Sequence, residues 1–269
     1  MTRCAACERH EAAALYEVNG FQVVRCRCGL ARTELPDGFD PSTIYTEAYF
    51  QGGHHDGYAD YAGSEVILRE EFRGTLAHLP IASGKLLEIG CAYGFFLDEA
   101  AARFDVTGVE VADAARAACI ARGHRVVRDL SDVTGPFDAA AMLDVIEYLV
   151  DPAAALRSLP LRAGAPLVIT TGDFGSLVAR TMGKRWRLMT PPQHLWFFST
   201  ETLTALLAKC GFRVEKIDHP WKRVPLGLVA YQASRYVRAQ AIVKRVPVPG
   251  RLPVNLFDAM RVLAIKVGA

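Results

Sequence analysis

The sequence lacks long apolar runs and any strong excess of one charge. No hydrophobic stretch among its 269 residues has the length that a bilayer-spanning helix requires, and the opening MTRCAACERH lacks the apolar centre of a secretory signal. Lys and Arg number 31 against 29 Asp and Glu, which argues against a protein that binds nucleic acid with its whole surface. We expect a cytoplasmic globular protein with no nucleic-acid partner, and its oligomeric state stays open.

Four of the seven cysteines form two close pairs near the N-terminus. Cys4-x-x-Cys7 and Cys26-x-Cys28 are separated by 18 residues, close to the spacing of a zinc ribbon in which four thiolates bind one ion. A segment this short cannot bury enough surface to be stable by itself, and a structural ion would stabilise it. The second pair is one residue shorter than the usual knuckle, and unpaired buried thiols are the alternative. The pattern predicts a structural Zn²⁺.

From Lys85 onward, short apolar runs alternate with helical patterns. The strand runs are almost continuously apolar, as in strands covered on both faces. This alternation predicts an α/β fold with a doubly wound, Rossmann-like, mostly parallel sheet of seven strands. We expect five regions: a zinc-ribbon-like module (1–40), an aromatic lid and N-terminal helix (41–84), the Rossmann-like core (85–221), a basic helical insertion (222–256) and the last strand (257–269).

A stretch of small residues follows the first strand of the predicted sheet. Residues 86–96, LLEIGCAYGFF, pass from a buried run through an acid into glycine and alanine. A run of small side chains suggests a backbone that approaches a bound ligand closely. Open parallel sheets bind ligands beyond the carboxyl ends of their strands. A dinucleotide fingerprint would need glycine at positions 92 and 95, where this chain has Ala92 and Phe95. An NAD-dependent oxidoreductase is therefore the disfavoured alternative.

The pattern of Glu88, Gly90, Ala92 and Gly94 resembles the first motif of the class I S-adenosylmethionine-dependent methyltransferases. The resemblance implies that S-adenosylmethionine is the cofactor and that these four residues surround it. It covers most of the chain. A non-catalytic protein that binds a nucleoside or zinc remains a further alternative.

The same resemblance assigns roles to acids at the ends of later strands. Glu110 would accept the ribose hydroxyls, and Asp129 would meet the adenine amino group. Each acid by itself could instead be a solvated residue or a helix cap. Three further positions are assigned to the cofactor site with them: Val111, Leu130 and Asp144.

Residues 181–214 resemble bacterial small-molecule methyltransferases, including sugar C-methyltransferases whose N-terminal module is a similar ribbon. This implies a small-molecule or sugar acceptor, methylated on oxygen or carbon; a lipid-linked glycan is expected only if the basic segment described below contacts a membrane. His194 stands at the matching histidine and is a candidate base for a hydroxyl; a structural histidine that bridges two loops is the alternative. Gln193 replaces a glutamate common in the C-methyltransferases, and Tyr148 replaces a histidine present in many relatives.

Two segments outside the sheet carry further predictions. The aromatic stretch at 44–61 is predicted to form a lid in which Tyr49 contacts the cofactor and Tyr58 takes part in catalysis, unless these rings only pack the ribbon on the main domain. No acid lies between Asp218 and Asp258. A basic amphipathic helix within 222–251 would contact an anionic membrane surface or a phosphorylated acceptor; a helical insertion with a solvated basic rim is the alternative.

Overall fold

The computed structural model describes residues 3–39, 64–225 and 251–268. Its main sheet contains seven strands, as the sequence predicts, in the order β10-β13-β8-β7-β4-β5-β6. The pairs from β8 to β6 are parallel, whereas β13 is antiparallel to both of its neighbours. The strands are β4 (Gly84–Ile89), β5 (Phe104–Val109), β6 (Arg125–Val127), β7 (Ala139–Leu143), β8 (Pro166–Gly172), β10 (Phe212–Asp218) and β13 (Ala259–Lys266).

Helices cover both faces of this sheet. In β7, Ala139 and Ala141 pack on one side with Phe96, while Ala140 and Met142 pack on the other. Because successive side chains of a strand point to opposite faces, this pattern identifies a strand buried on both sides. The helices of the described residues are α1 (Glu65–Leu76), α2 (Phe95–Ala100), α3 (Asp113–Ala121), α4 (Pro152–Ser158), α5 (Leu177–Met182) and α6 (Thr200–Lys209).

The N-terminal cysteine segment forms a small antiparallel sheet. Its strands β1 (Ala12–Val18), β2 (Phe21–Cys26) and β3 (Ala31–Glu34) are joined by β9 (Trp196–Phe197), which comes from the main domain. The sequence predicts β1 and β2 but neither β3 nor β9. Residues 1–40 therefore do not contain the whole of this sheet.

The predicted helical insertion over 222–256 needs a correction at both ends. Strands β11 (Lys222–Pro225) and β12 (Arg251–Val254) pair antiparallel there instead. Pro225 and Pro253 give the physical reason, since proline lacks the N–H that a helix interior needs. The central residues 226–250, where the basic amphipathic helix was expected, lie outside the described residues.

Candidate functional site

The turn after β4 crosses the carboxyl edge of the sheet at the point where the strand order reverses. Gly90, Ala92 and Gly94 all have positive φ angles, of 71°, 46° and 81°. A Cβ at Gly90 would lie 2.5 Å from Val145 Cγ2, and one at Gly94 would lie 2.6 Å from Cys119 Sγ. Both glycines are thus required by packing within the protein, a cause that the sequence does not reveal. Alanine occupies the same strained region at position 92.

Glu110 connects this turn to the next strand end. It follows β5 and is only 6% exposed. Its Oε2 accepts a hydrogen bond from the Ala92 backbone N–H at 2.9 Å, and its Oε1 accepts one from the Ala112 N–H at 2.8 Å. Desolvation raises the pKa of Glu110 despite these bonds. Each carboxylate oxygen has a second lone pair, so the arrangement is compatible with the ribose contact that the resemblance implies.

Glu88 lies in β4, two residues before Gly90, and is 3% exposed. Burial, with smaller contributions from Cys119 and Glu110, raises the pKa of this carboxyl well above its ordinary value. Within residues 3–39, 64–225 and 251–268, its Oε2 has no hydrogen-bond partner. A buried oxygen without a hydrogen-bond partner is unfavourable. A polar group on a bound nucleoside would supply the missing hydrogen bond.

The remaining predicted cofactor residues follow other strands at the same edge. Asp129 and Val111 are exposed, and Leu130 is half-buried. Asp144 follows β7 with φ 54°, and its Oδ1 accepts a hydrogen bond from Thr170 Oγ1 at 3.0 Å. The parallel strands thus bring these predicted residues to one edge of the sheet. Tyr49 and Tyr58 lie outside the described residues.

His194 is 7% exposed and is hydrogen-bonded through both ring nitrogens. Its Nδ1 lies 2.8 Å from the Leu188 carbonyl oxygen, which can only accept, so Nδ1 carries a proton. In the neutral ring, Nε2 then accepts from the Tyr148 hydroxyl at 3.0 Å. In the sequence, Tyr148 only replaces a histidine present in many relatives, whereas the structure brings this residue to the predicted histidine.

A second acid–histidine pair was missed by the sequence analysis. Asp173 follows β8 directly, and its Oδ2 lies 3.0 Å from Nε2 of His219, which follows β10. The Oδ1 of Asp173 accepts from the Gly175 N–H at 2.9 Å. The same observation that identifies Glu110, a titratable side chain after an apolar strand, would have identified Asp173, whereas His219 follows the charged strand β10 and gives no such signal.

The four N-terminal cysteines converge, as their spacing predicts. Their sulfur atoms all lie within 4.8 Å of one another, with Cys4 and Cys28 at 3.5 Å and Cys7 and Cys26 at 3.3 Å. Tetrahedral zinc with bonds of about 2.3 Å would hold sulfurs about 3.8 Å apart, so the donor set fits Zn²⁺. Burial raises the pKa of the Cys4 thiol, a cost that a metal would offset by stabilising the thiolate.

Over the ranges that the structure describes, none of the helices combines the length and the apolar character needed to cross a bilayer.

Comparison with known proteins identifies one family model and several relatives, all of them methyltransferases. A family model described as a methyltransferase domain matches residues 65–217. The ubiquinone biosynthesis O-methyltransferase of Cereibacter sphaeroides is 30% identical over 171 residues, which cover 55% of this chain and 68% of the relative. The enzyme of the same name from Xylella fastidiosa is 27% identical over 169 residues, covering 54% and 68%.

Solved structures show the same fold at lower identity. A S-adenosylmethionine-dependent methyltransferase from Thermotoga maritima, described as a possible histamine N-methyltransferase, superposes with a TM-score of 0.54 at 19% identity and covers 81% of this chain and 98% of its own. Magnesium protoporphyrin IX methyltransferase from Synechocystis, solved with bound S-adenosylhomocysteine, gives a TM-score of 0.54 at 13% identity, with coverage of 84% and 99%. The chain belongs to the methyltransferase-domain family and is a class I S-adenosylmethionine-dependent methyltransferase.

Proposed function

We propose that this enzyme methylates a hydroxyl oxygen of a small molecule, a sugar or a lipid-linked glycan, and that His194 and Tyr148 together remove the hydroxyl proton. The hydrogen bond between His194 Nε2 and the Tyr148 hydroxyl carries the proposal. The O-methyltransferase names of the curated relatives support oxygen over the carbon acceptor that the sequence leaves open.

The cofactor, when bound, supplies a methyl group on a sulfonium, which is already a good leaving group. The turn at Gly90, Ala92 and Gly94 would hold it, together with Glu88. Glu110 and Asp129 would bind its sugar and base through carboxylate oxygens. Further contacts are proposed for Val111, Leu130, Asp144 and Tyr49, and a catalytic contact for Tyr58.

The chain's own contribution is to orient the acceptor and to accept its proton. A hydroxyl bonded to the Tyr148 oxygen would transfer its proton to that oxygen as the Tyr148 proton passes to His194 Nε2. The Leu188 carbonyl would keep its bond to Nδ1–H and stabilise the imidazolium. Burial of His194 limits competition from water.

Two variants test the pair. Tyr148→Phe and His194→Gln should each lower kcat by about 10²–10⁴-fold, and the double variant should lose little more, because the two groups act in one proton transfer. Labelled methyl transfer to catechols, nucleotide sugars and glycolipids provides the activity, and calorimetry should show unchanged binding of S-adenosylhomocysteine. Tyr16→Phe, in the small sheet, is the matched control.

The result that would refute this assignment is full turnover by either variant with the acceptor that the wild type uses. The Asp173–His219 pair offers the second candidate base, because its imidazole is also oriented by a hydrogen bond. If His219→Gln alone lowers kcat and alters the pH profile, the base is this histidine.

The Zn²⁺ of the cysteine cluster is proposed as a structural ion, because four thiolates leave no open coordination position. A lipid-linked acceptor is supported by the basic composition of 222–251 alone. Flotation with anionic vesicles at low salt checks that contact, and the absence of any binding would retire it.

A further inference from the structure

Arg32, in β3, is a buried cation. The residue is 2% exposed, and its Nε, Nη1 and Nη2 atoms are all buried. Among residues 3–39, 64–225 and 251–268, none of these three atoms has a hydrogen-bond partner. Guanidinium stays protonated in proteins and offers five N–H donors. A buried charge in this condition is unfavourable unless another group satisfies it.

Among the described residues, the Arg32 guanidinium has one ion pair and no hydrogen bond. The residues paired with it across the small sheet are Val24 and Trp196, neither of which is charged. The Glu34 Oε1 atom lies 3.6 Å from Nη2, which is too far for a hydrogen bond. The Glu34 side chain is 39% exposed, so solvent weakens this ion pair from the Glu34 side.

Strand β3 is hydrogen-bonded to the segments that carry the proposed base. The Thr33 hydroxyl donates to the His194 carbonyl at 2.7 Å, and the Thr33 N–H donates to the Leu195 carbonyl at 2.9 Å. Trp196, the partner of Arg32 in β9, donates its indole N–H to the carbonyl of Leu149, the residue after Tyr148. Strands β3 and β9 thus contact the backbone beside both members of the His194–Tyr148 pair.

We propose that Arg32 binds an oxyanion group, carboxylate or phosphate, on the methyl acceptor. The planar fork of guanidinium matches both groups with two parallel hydrogen bonds, which Glu34 does not supply. This assignment rests on the proposed function only in placing the acceptor beside His194. It narrows the acceptor to molecules with an acidic group as well as a hydroxyl.

The test compares Arg32→Met and Arg32→Lys with the wild type by thermal unfolding, in titrations with inorganic phosphate and, separately, with benzoate. Without additive, Arg32→Met should melt at or above the wild-type temperature, because it removes a buried cation whose one ion pair within the described residues, to Glu34, has no hydrogen bond. With additive, the wild type should be stabilised by at least one probe, Arg32→Lys should need at least tenfold more, and Arg32→Met should not respond. Arg213→Met, which removes an exposed guanidinium from β10, is the control and should respond like the wild type.

The outcomes separate the possibilities. A response to phosphate alone supports a phosphorylated acceptor, and a response to benzoate alone supports a carboxylate. Equal responses of the wild type and Arg32→Met, or loss of folding in both Arg32 variants, would overturn the proposal and make Arg32 a structural residue. Calorimetry with S-adenosylhomocysteine and the activities of the Tyr148 and His194 variants report on the proposed function independently.

Discussion

At the residue scale, the environment of Glu88 determines how its protonation contributes to stability. Burial raises the pKa of this carboxyl above the ordinary value of 4.5. The folded protein therefore holds the proton more tightly than the unfolded chain does. The resulting stabilisation is complete below the unfolded pKa and is lost as the pH rises from there through the folded pKa.

We expect Glu88→Gln to remove this dependence. The free energy of unfolding of the wild type, relative to the variant, should fall with rising pH by up to about 1.4 kcal/mol per pH unit until Glu88 ionises in the folded state. Urea unfolding at a series of pH values measures the difference. Glu17→Gln, on the exposed edge of the small sheet, should leave the slope unchanged. A relative stability that rises with pH would contradict the assignment.

The sequence was informative about the identity of individual residues but not about all of their contacts. It predicts Glu110 at a strand end, because an apolar run stops at that acid. It does not predict that the Glu110 carboxylate accepts hydrogen bonds from Ala92 and Ala112, since those contacts depend on the path of two turns. The contact between Tyr148 and His194 was missed for the same reason, because the two residues are 46 positions apart.

At the scale of elements, strand β9 depends on its neighbours. It contains only two residues, Trp196 and Phe197. Short strands contribute few hydrogen bonds of their own, so the bond from the Thr33 hydroxyl to the His194 carbonyl helps to hold the segment. This contact connects the small sheet directly to the candidate base.

Thr33→Val keeps the shape of the side chain and removes the donor. We expect a loss of about 1–2 kcal/mol in the free energy of unfolding, because the buried His194 carbonyl loses a hydrogen bond. Turnover should fall while the affinity for S-adenosylhomocysteine stays constant. Thr181→Val, which removes a hydroxyl bond within exposed helix α5, is the control. Unchanged stability and turnover in Thr33→Val would show that the contact does not position His194.

Long elements were predictable, and short ones were not. The continuous apolar runs of β4, β7 and β8 identify buried strands whatever surrounds them. The four residues of β3 become a strand by pairing with β2 and β9. The helical insertion expected over 222–256 was given bounds without regard to the prolines at 225 and 253, and strands β11 and β12 form at its two ends.

At the scale of the whole molecule, the cysteine segment and the main sheet share one hydrophobic core. Cys4, Cys26 and Leu30 pack in the same cluster as Leu203 of α6 and Phe212 of β10. A structural ion in the cluster would therefore stabilise the main domain as well as the segment that contains it.

Metal removal tests this coupling. We expect one zinc per chain by elemental analysis, and treatment with a chelator, or Cys26→Ser, should lower the melting temperature of the whole chain in a single transition. Cys210→Ser alters a buried cysteine outside the cluster and should keep the metal. Metal-free protein that melts at the same temperature would overturn the proposed zinc site, whereas two separate transitions would contradict the shared core.

The contact between Gly94 and Cys119 limits which residues homologous chains can carry at these two positions. The Cys119 sulfur fills the space that a methyl group on residue 94 would need. The turn after β4 therefore packs against helix α3 with no room for a side chain at position 94. Among homologous chains, alanine at the position of Gly94, where φ is 81°, should appear only where residue 119 has lost its sulfur and is alanine or glycine, because the Cys119 Cβ itself lies 3.6 Å away. The two sites are therefore expected to covary, and an alignment of many orthologues would reveal the pair as evolutionarily coupled.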